Sequence, residues 1–325
     1  MMKQLRKYML LRIGLLASLL VGLGACESDV EFEGEQTAPQ LVMNAVVTAN
    51  SSPKVYLSES RFFLDDETEY TDIKDASVSL YVDGVFVEEL VLVEEKDIYG
   101  NLLGSCYYKG SELLRSGSLV EFRASCERLG AQAKGSTTIP AVPVVEDMRV
   151  SCRLNESNYV EGIVQLPLND PKEQTNYYWL SAGLFTSYSG EVFRTPFKYV
   201  DKVFMGGRMS DVLDDVLGET PIDGTHVFFS DEYFNGYKSL LWMEFLMHPE
   251  YVPYSEVWCE LYQIDQHLFR YLLSVEMAEE GTSFGEPVQI YSNVEGGMGL
   301  VGSRAVGTKQ SISCSELINL PDKKE

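Results

Sequence analysis

The sequence predicts a mainly β protein: two β-sandwich domains of immunoglobulin or fibronectin type III type, the second carrying one docked helix and long loops. Three observations lead there. Val78, Leu80 and Val82 alternate with Ser77, Ser79 and Tyr81, and Asp83-Gly84 then supplies the residues that tolerate positive φ in a tight hairpin. Val120, Phe122, Ala124 and Cys126 alternate with Glu121, Arg123, Ser125 and Glu127, the pattern of an antiparallel sheet with one dry and one wet face. The clearest helical period in the chain is at 265–280, where Asp265 can cap, Leu268, Leu272 and Val275 share a face, and Gly281 follows as a stop.

Taken in order, the chain opens with a targeting pattern. Lys3, Arg6, Lys7 and Arg12 precede an apolar run from Ile13 to Leu23, shorter than the roughly 20 residues a membrane span needs. Leu23-Gly24-Ala25-Cys26 then looks like a bacterial lipobox, so residues 1–25 are expected to be a lipoprotein signal peptide and Cys26 the lipidated mature N-terminus. Residues 26–38 are small, polar and acidic, as a tether would be. The first sandwich is expected over 39–142, with Pro140 and Pro143 marking its end because proline cannot donate to a sheet ladder. The second is expected over 143–325. Its strands fall near 148–154, 159–168, 176–185 and 255–264, a short helix is expected at 210–218, and the tail closes with further strands.

A formal net charge of −23 over 325 residues argues against nucleic acid as a partner, since phosphate backbones would be repelled. It disfavours flat docking on anionic lipid too, so membrane attachment is left to Cys26. The remaining cysteines, 106, 126, 152, 259 and 314, are odd in number. Cys106–Cys126 is the pair to test first; buried free thiols are the alternative. His226, His248 and His267 form no HExxH or HxxxH pair, and no GxSxG elbow occurs, so no catalytic, cofactor or metal residues are assigned. Gly297-Met-Gly299-Leu-Val-Gly302 spells GxGxxG, but the strand-like residues after it point to a bulge or turn rather than a dinucleotide site. DDETEYTD at 65–72 offers oxygen donors for calcium without the spacing of a helix–loop–helix calcium site, and reads as a solvated loop. Of two aromatic clusters, NYYWL at 176–180 reads as core. HVFFSDEYFNGY at 226–237 is the candidate partner surface, through Phe229, Tyr233 and Phe234.

Several of these stretches stand in an order that resembles the domain of unknown function 4249 family of Bacteroidota lipoproteins. They are Pro39-Gln-Leu-Val-Met-Asn44, Asp75-Ala-Ser-Val78, Thr138-Ile-Pro140 and FFSDEYFNG at 228–236. The closing run is Phe284-Gly-Glu-Pro287, Ile290-Tyr-Ser-Asn-Val294 and Gly296-Gly297-Met-Gly299. The resemblance implies an outer-membrane or cell-surface lipoprotein encoded beside a TonB-dependent transporter, with no established activity. Glu27, Asp29 and Glu31 resemble the surface-export signal of such lipoproteins. The expected function is therefore a non-catalytic, lipid-anchored accessory of a TonB-dependent transporter. A stand-alone glycan- or nutrient-binding lipoprotein is the alternative, and an exported hydrolase a third class.

Overall fold

The computed structural model describes residues 38–61, 71–96, 99–100, 104–172, 174–200, 202–204, 226–280 and 289–318. Cys26 and its tether, most of the acidic 65–72 stretch, the expected 210–218 helix and Phe284-Gly-Glu-Pro287 lie outside them. The described chain is mainly β, with several sheets and one α-helix. Strands before residue 142 are β1 (Leu41–Thr48), β2 (Lys54–Glu59), β3 (Ser77–Val82), β4 (Val85–Glu89), β5 (Val91–Val93), β6 (Tyr107–Lys109), β7 (Leu119–Cys126) and β8 (Ala131–Thr138). Then come β9 (Val144–Val145), β10 (Arg149–Leu154), β11 (Val160–Asn169), β12 (Tyr177–Tyr188), β13 (Glu191–Pro196), β14 (Lys198–Tyr199), β15 (His226–Ser230), β16 (Lys238–Met247) and β17 (Ser255–Ile264). Helix α1 (Gln266–Glu280) precedes β18 (Val294–Glu295), β19 (Met298–Val306) and β20 (Gln310–Ser313).

One long sheet runs through the whole body in the order β13-β12-β17-β19-β1-β2-β6-β5, with β15 beside β12 and β20 beside β17. Two smaller sheets, β10-β11-β16-β14 with β9, and β18-β8-β7-β3-β4, complete the fold. The register shows how they stack. Leu261 and Cys259 of β17 join one core with Leu166 and Met243, while Val301 of β19 joins another with Leu80 and Phe122. The antiparallel pairing of Gln263 with Ala305 puts all these odd-numbered side chains on one face of the long sheet. Both small sheets therefore cover that face, giving two sandwiches on a shared sheet. Helix α1 covers the other face, where Leu268, Leu272, Trp179, Phe228 and Leu300 meet.

The expected division near residue 142 falls between β8 and β9, but β18 pairs back onto β8 and the long sheet runs across it. β19 lies parallel to β1, and Val294 and Val301 belong to the first core. The parallel seam explains the glycine run. A side chain on Gly299 (φ +117°) would strike the Met43 carbonyl, and one on Gly297 the Leu41 carbonyl. These glycines let two backbones approach. Asn44 Oδ1 accepts from Leu300 N at 3.0 Å and Asn293 Oδ1 from Val301 N at 2.8 Å, so side-chain amides complete the seam.

Local signals act as their chemistry requires. Asp83 and Gly84 adopt φ of 51° and 80° in the β3–β4 turn. Asp265 caps α1: Oδ2 accepts from His267 N at 3.0 Å, and Oδ1 from Leu268 N at 3.1 Å and Ser303 N at 2.8 Å. Burial raises the Asp265 pKa, and the backbone donors act against that shift. Leu268 and Leu272 are buried, each adding about 1.5–3 kcal/mol of apolar transfer. Val275, expected on the same face, is half-buried.

Candidate interaction surfaces

The 226–237 stretch is built from the inside. Tyr178 and Trp179 are buried on opposite faces of β12, and β15 pairs alongside, setting Tyr178 opposite Phe229. Phe229 stacks on Tyr178 with ring centres 5.5 Å apart, and Phe234 at 6.2 Å. Phe229 and Phe234 are 2% and 6% exposed, so the expected partner contact through them is corrected: their rings fill the second core, which gives apolar area a better home than water. Tyr233 is on the surface, 63% exposed.

Asp231 explains the rest of the stretch. It is fully buried, and its Oδ2 accepts from Asn176 N at 2.7 Å and Asn176 Nδ2 at 3.3 Å. Asn176 Nδ2 also reaches Asp170 Oδ1 at 3.2 Å, and Gln263 Nε2 donates to Asn176 Oδ1 at 2.7 Å. Asp170 in turn accepts from Tyr178 Oη and Gly236 N, both at 2.7 Å. Gly236 has φ +77°, and a side chain there would meet Lys172 at 2.6 Å. Burial, then the charge of Asp170, raises the Asp231 pKa against the opposing pull of the Asn176 donors. The two carboxyls tie the β11–β12 and β15–β16 loops into one closed end of the second sandwich.

The titratable residues singled out in the sequence are dispersed. His226 Nδ1 accepts from Trp179 Nε1 at 3.0 Å, and burial together with Arg304 pushes its pKa down to about 4. His248 leads a 3₁₀ turn at Pro249–Tyr254, and His267 Nδ1 sits 2.7 Å from Tyr291 Oη. Cys106 and Cys126 are not joined to each other: their thiols face Glu94 and Asp75, both at 3.8 Å. Burial raises the Cys152 thiol to about 11, which leaves it a poor nucleophile near neutral pH.

The sequence does not announce a groove of about 730 Å³ lined by β10, β11 and β16 together with Thr195, Pro196 and Lys198. Its charges are paired across neighbouring strands, Arg153 with Glu161 at 2.8 Å and Lys198 with Glu244 at 3.6 Å. Hydrogen bonds from Asn155 and Arg153 hold the Glu161 pKa below its ordinary value. Ile163 and Leu246 supply apolar lining. A side chain on Gly162 would collide with the Phe245 ring, which stacks on Phe197 at 5.6 Å beneath the groove. Alternation along β11 could have flagged the outward Glu161 and Ile163; the pairing that sets Lys198 beside Glu244 is not local.

Of the stretches that carried the family resemblance, Pro39–Asn44 and Gly296–Gly299 meet at the β1–β19 seam, and 228–236 contributes Asp231 and Gly236 to the buried network. The chain belongs to the family described as a domain of unknown function (DUF4249), which residues 27–310 match. No curated protein matches it. Within this family member, Phe229, Asp231, Phe234 and Gly236 have structural work, while Tyr233 between them is exposed.

Proposed function

We propose that this DUF4249 protein is a lipid-anchored accessory lipoprotein of the outer membrane that serves a TonB-dependent transporter in nutrient uptake and binds without catalysing. One observation carries the reading: basic residues, an apolar run and Leu23-Gly24-Ala25-Cys26 stand directly before an acidic tether and a β body. Acyl chains on Cys26 contribute about 0.8 kcal/mol per buried CH₂, so multiple acylation anchors a body whose own charge is repelled by anionic lipid. The groove with its internally paired charges supports a binding role. Two measurements test the reading. Cys26→Ala should give unlipidated precursor in a fatty-acid labelling experiment, and tagged protein solubilised from its own membranes should bring down a transporter β-barrel. Normal acylation of Cys26→Ala defeats the anchor, and pull-downs without a barrel defeat the partnership. Stand-alone glycan or nutrient capture is the second reading, favoured by the same groove.

A further inference from the structure

Four tyrosines and a histidine make a continuous ring chain at one end of the second sandwich. Tyr159 meets His248 at 5.8 Å, His248 meets Tyr251 at 6.3 Å, Tyr251 meets Tyr188 at 5.3 Å, and Tyr188 meets Tyr254 at 5.1 Å. They come from three turns: the one between β10 and β11, the one between β12 and β13, and the 3₁₀ turn before β17. Each contact is edge-to-face, with interplanar angles of 66–89°, so each covers a face of only one of its two rings and none of the rings is stacked. Tyr159, Tyr188 and Tyr254 are 41%, 37% and 49% exposed, and Phe193, on the Tyr188 side of β13, is 46% exposed. Glu156, Glu191 and Glu250 are exposed in the same turns. Among the described residues, Glu156 and Glu191 have no basic partner, and Arg153 is held by Glu161.

We infer that this aromatic end is a docking site for a cationic protein segment, taking Arg or Lys side chains over its tyrosine faces and between its carboxylates. Ring faces attract cations through the quadrupole, and Tyr is favoured at the centres of protein interfaces. Charge complementarity selects the occupant. A second copy would set the same glutamates against one another and add a further formal charge of −23, so self-association is disfavoured. An anionic bilayer is disfavoured because the exposed Glu156, Glu191 and Glu250 would face its charge.

The test uses the full chain and a dye-labelled peptide of alternating Arg and Leu, with an alternating Glu and Leu peptide as control, read by fluorescence anisotropy. The cationic peptide should bind, and moderate salt should weaken it. Tyr188→Ala combined with Tyr254→Ala should lower affinity at least tenfold. Glu191→Lys, a surface change that leaves the rings in place, should lower it severalfold and guards against misfolding of the double variant. Tyr233→Ala, at the other end, should change nothing. The inference is overturned by absence of cationic-peptide binding, by equal binding of the acidic control, or by an affinity that neither end's variants alter. Binding of phosphatidylglycerol vesicles or a neutral glucan at the tyrosines in place of the peptide overturns it too. It does not depend on acylation of Cys26, so its failure leaves the anchor reading standing.

Discussion

The two ends of the second sandwich use the same residue types to opposite effect. At one end Tyr178, Phe229 and Phe234 stack inside, and Asp170, Asn176 and Asp231 bond to one another and to backbone. At the other, Tyr188 meets Tyr254 and Tyr159 meets His248 in edge-to-face contacts, the three tyrosines are partly exposed, and the glutamates beside them are exposed. What separates the ends is pairing. At the closed end the buried polar groups bond to one another, with Asp231 Oδ1 the one network oxygen left without a partner among the described residues. Rings joined edge to face are only partly covered, and the exposure of Tyr159, Tyr188 and Tyr254 is what the inferred docking site uses.

The comparison breaks most easily at Asn176. Asn176→Ala should cost about 3 kcal/mol in urea unfolding, because buried donors and acceptors on Asp170, Asp231 and Gln263 lose their common partner. A loss below about 0.5 kcal/mol would mean the closed end is not held by its network. Gly162→Ala, under the groove, should cost about 1–3 kcal/mol by displacing the Phe245 ring; an unchanged urea midpoint would show that the ring has room to move.

Titration sharpens the contrast. The folded-state pKa of Asp231 is raised, so its protonated form is favoured in the fold. Its contribution is complete below the ordinary carboxylate pKa and is lost as pH rises through the folded-state value. The stability of the native protein relative to Asp231→Asn should therefore fall as pH is raised from about 4; a difference flat in pH would show that Asp231 titrates as an exposed carboxylate does. The smallest effects belong to the open end. Tyr254→Ala should shift thermal unfolding by about 1 kcal/mol or less, one edge contact being lost from a half-exposed ring. A larger loss would make the ring chain a structural feature rather than a surface for binding.

Much of the fold was legible in the sequence. Asp83-Gly84 announced the β3–β4 hairpin, the alternation over 120–127 announced β7, and Asp265 announced α1, because turn, pleat and cap are each written within a few neighbouring residues. NYYWL was read as core, and its Tyr178, Trp179 and Leu180 are buried. The 226–237 stretch was harder. Rings interleaved with acids look like a surface, yet Asp231 is buried because Asn176, 55 residues earlier, offers it two donors. No local pattern carries that pairing. The aromatic end was equally hidden, since Tyr159 precedes β11, Tyr188 ends β12 and Tyr254 ends the 3₁₀ turn before β17, far apart in the chain.

The sequence by itself determined the β class, the helix and its cap, the membership signals and the lipobox-like head at Cys26, since each depends on neighbours within about one turn or one strand. Tertiary structure decided that β19 enters the first core beside β1. Leu300 donates there to Asn44, 256 residues away, so one sheet serves both sandwiches. It also decided which rings are inside. A strand's period of two offers two faces without naming the dry one, and that choice is made when distant strands pair and bury one of them.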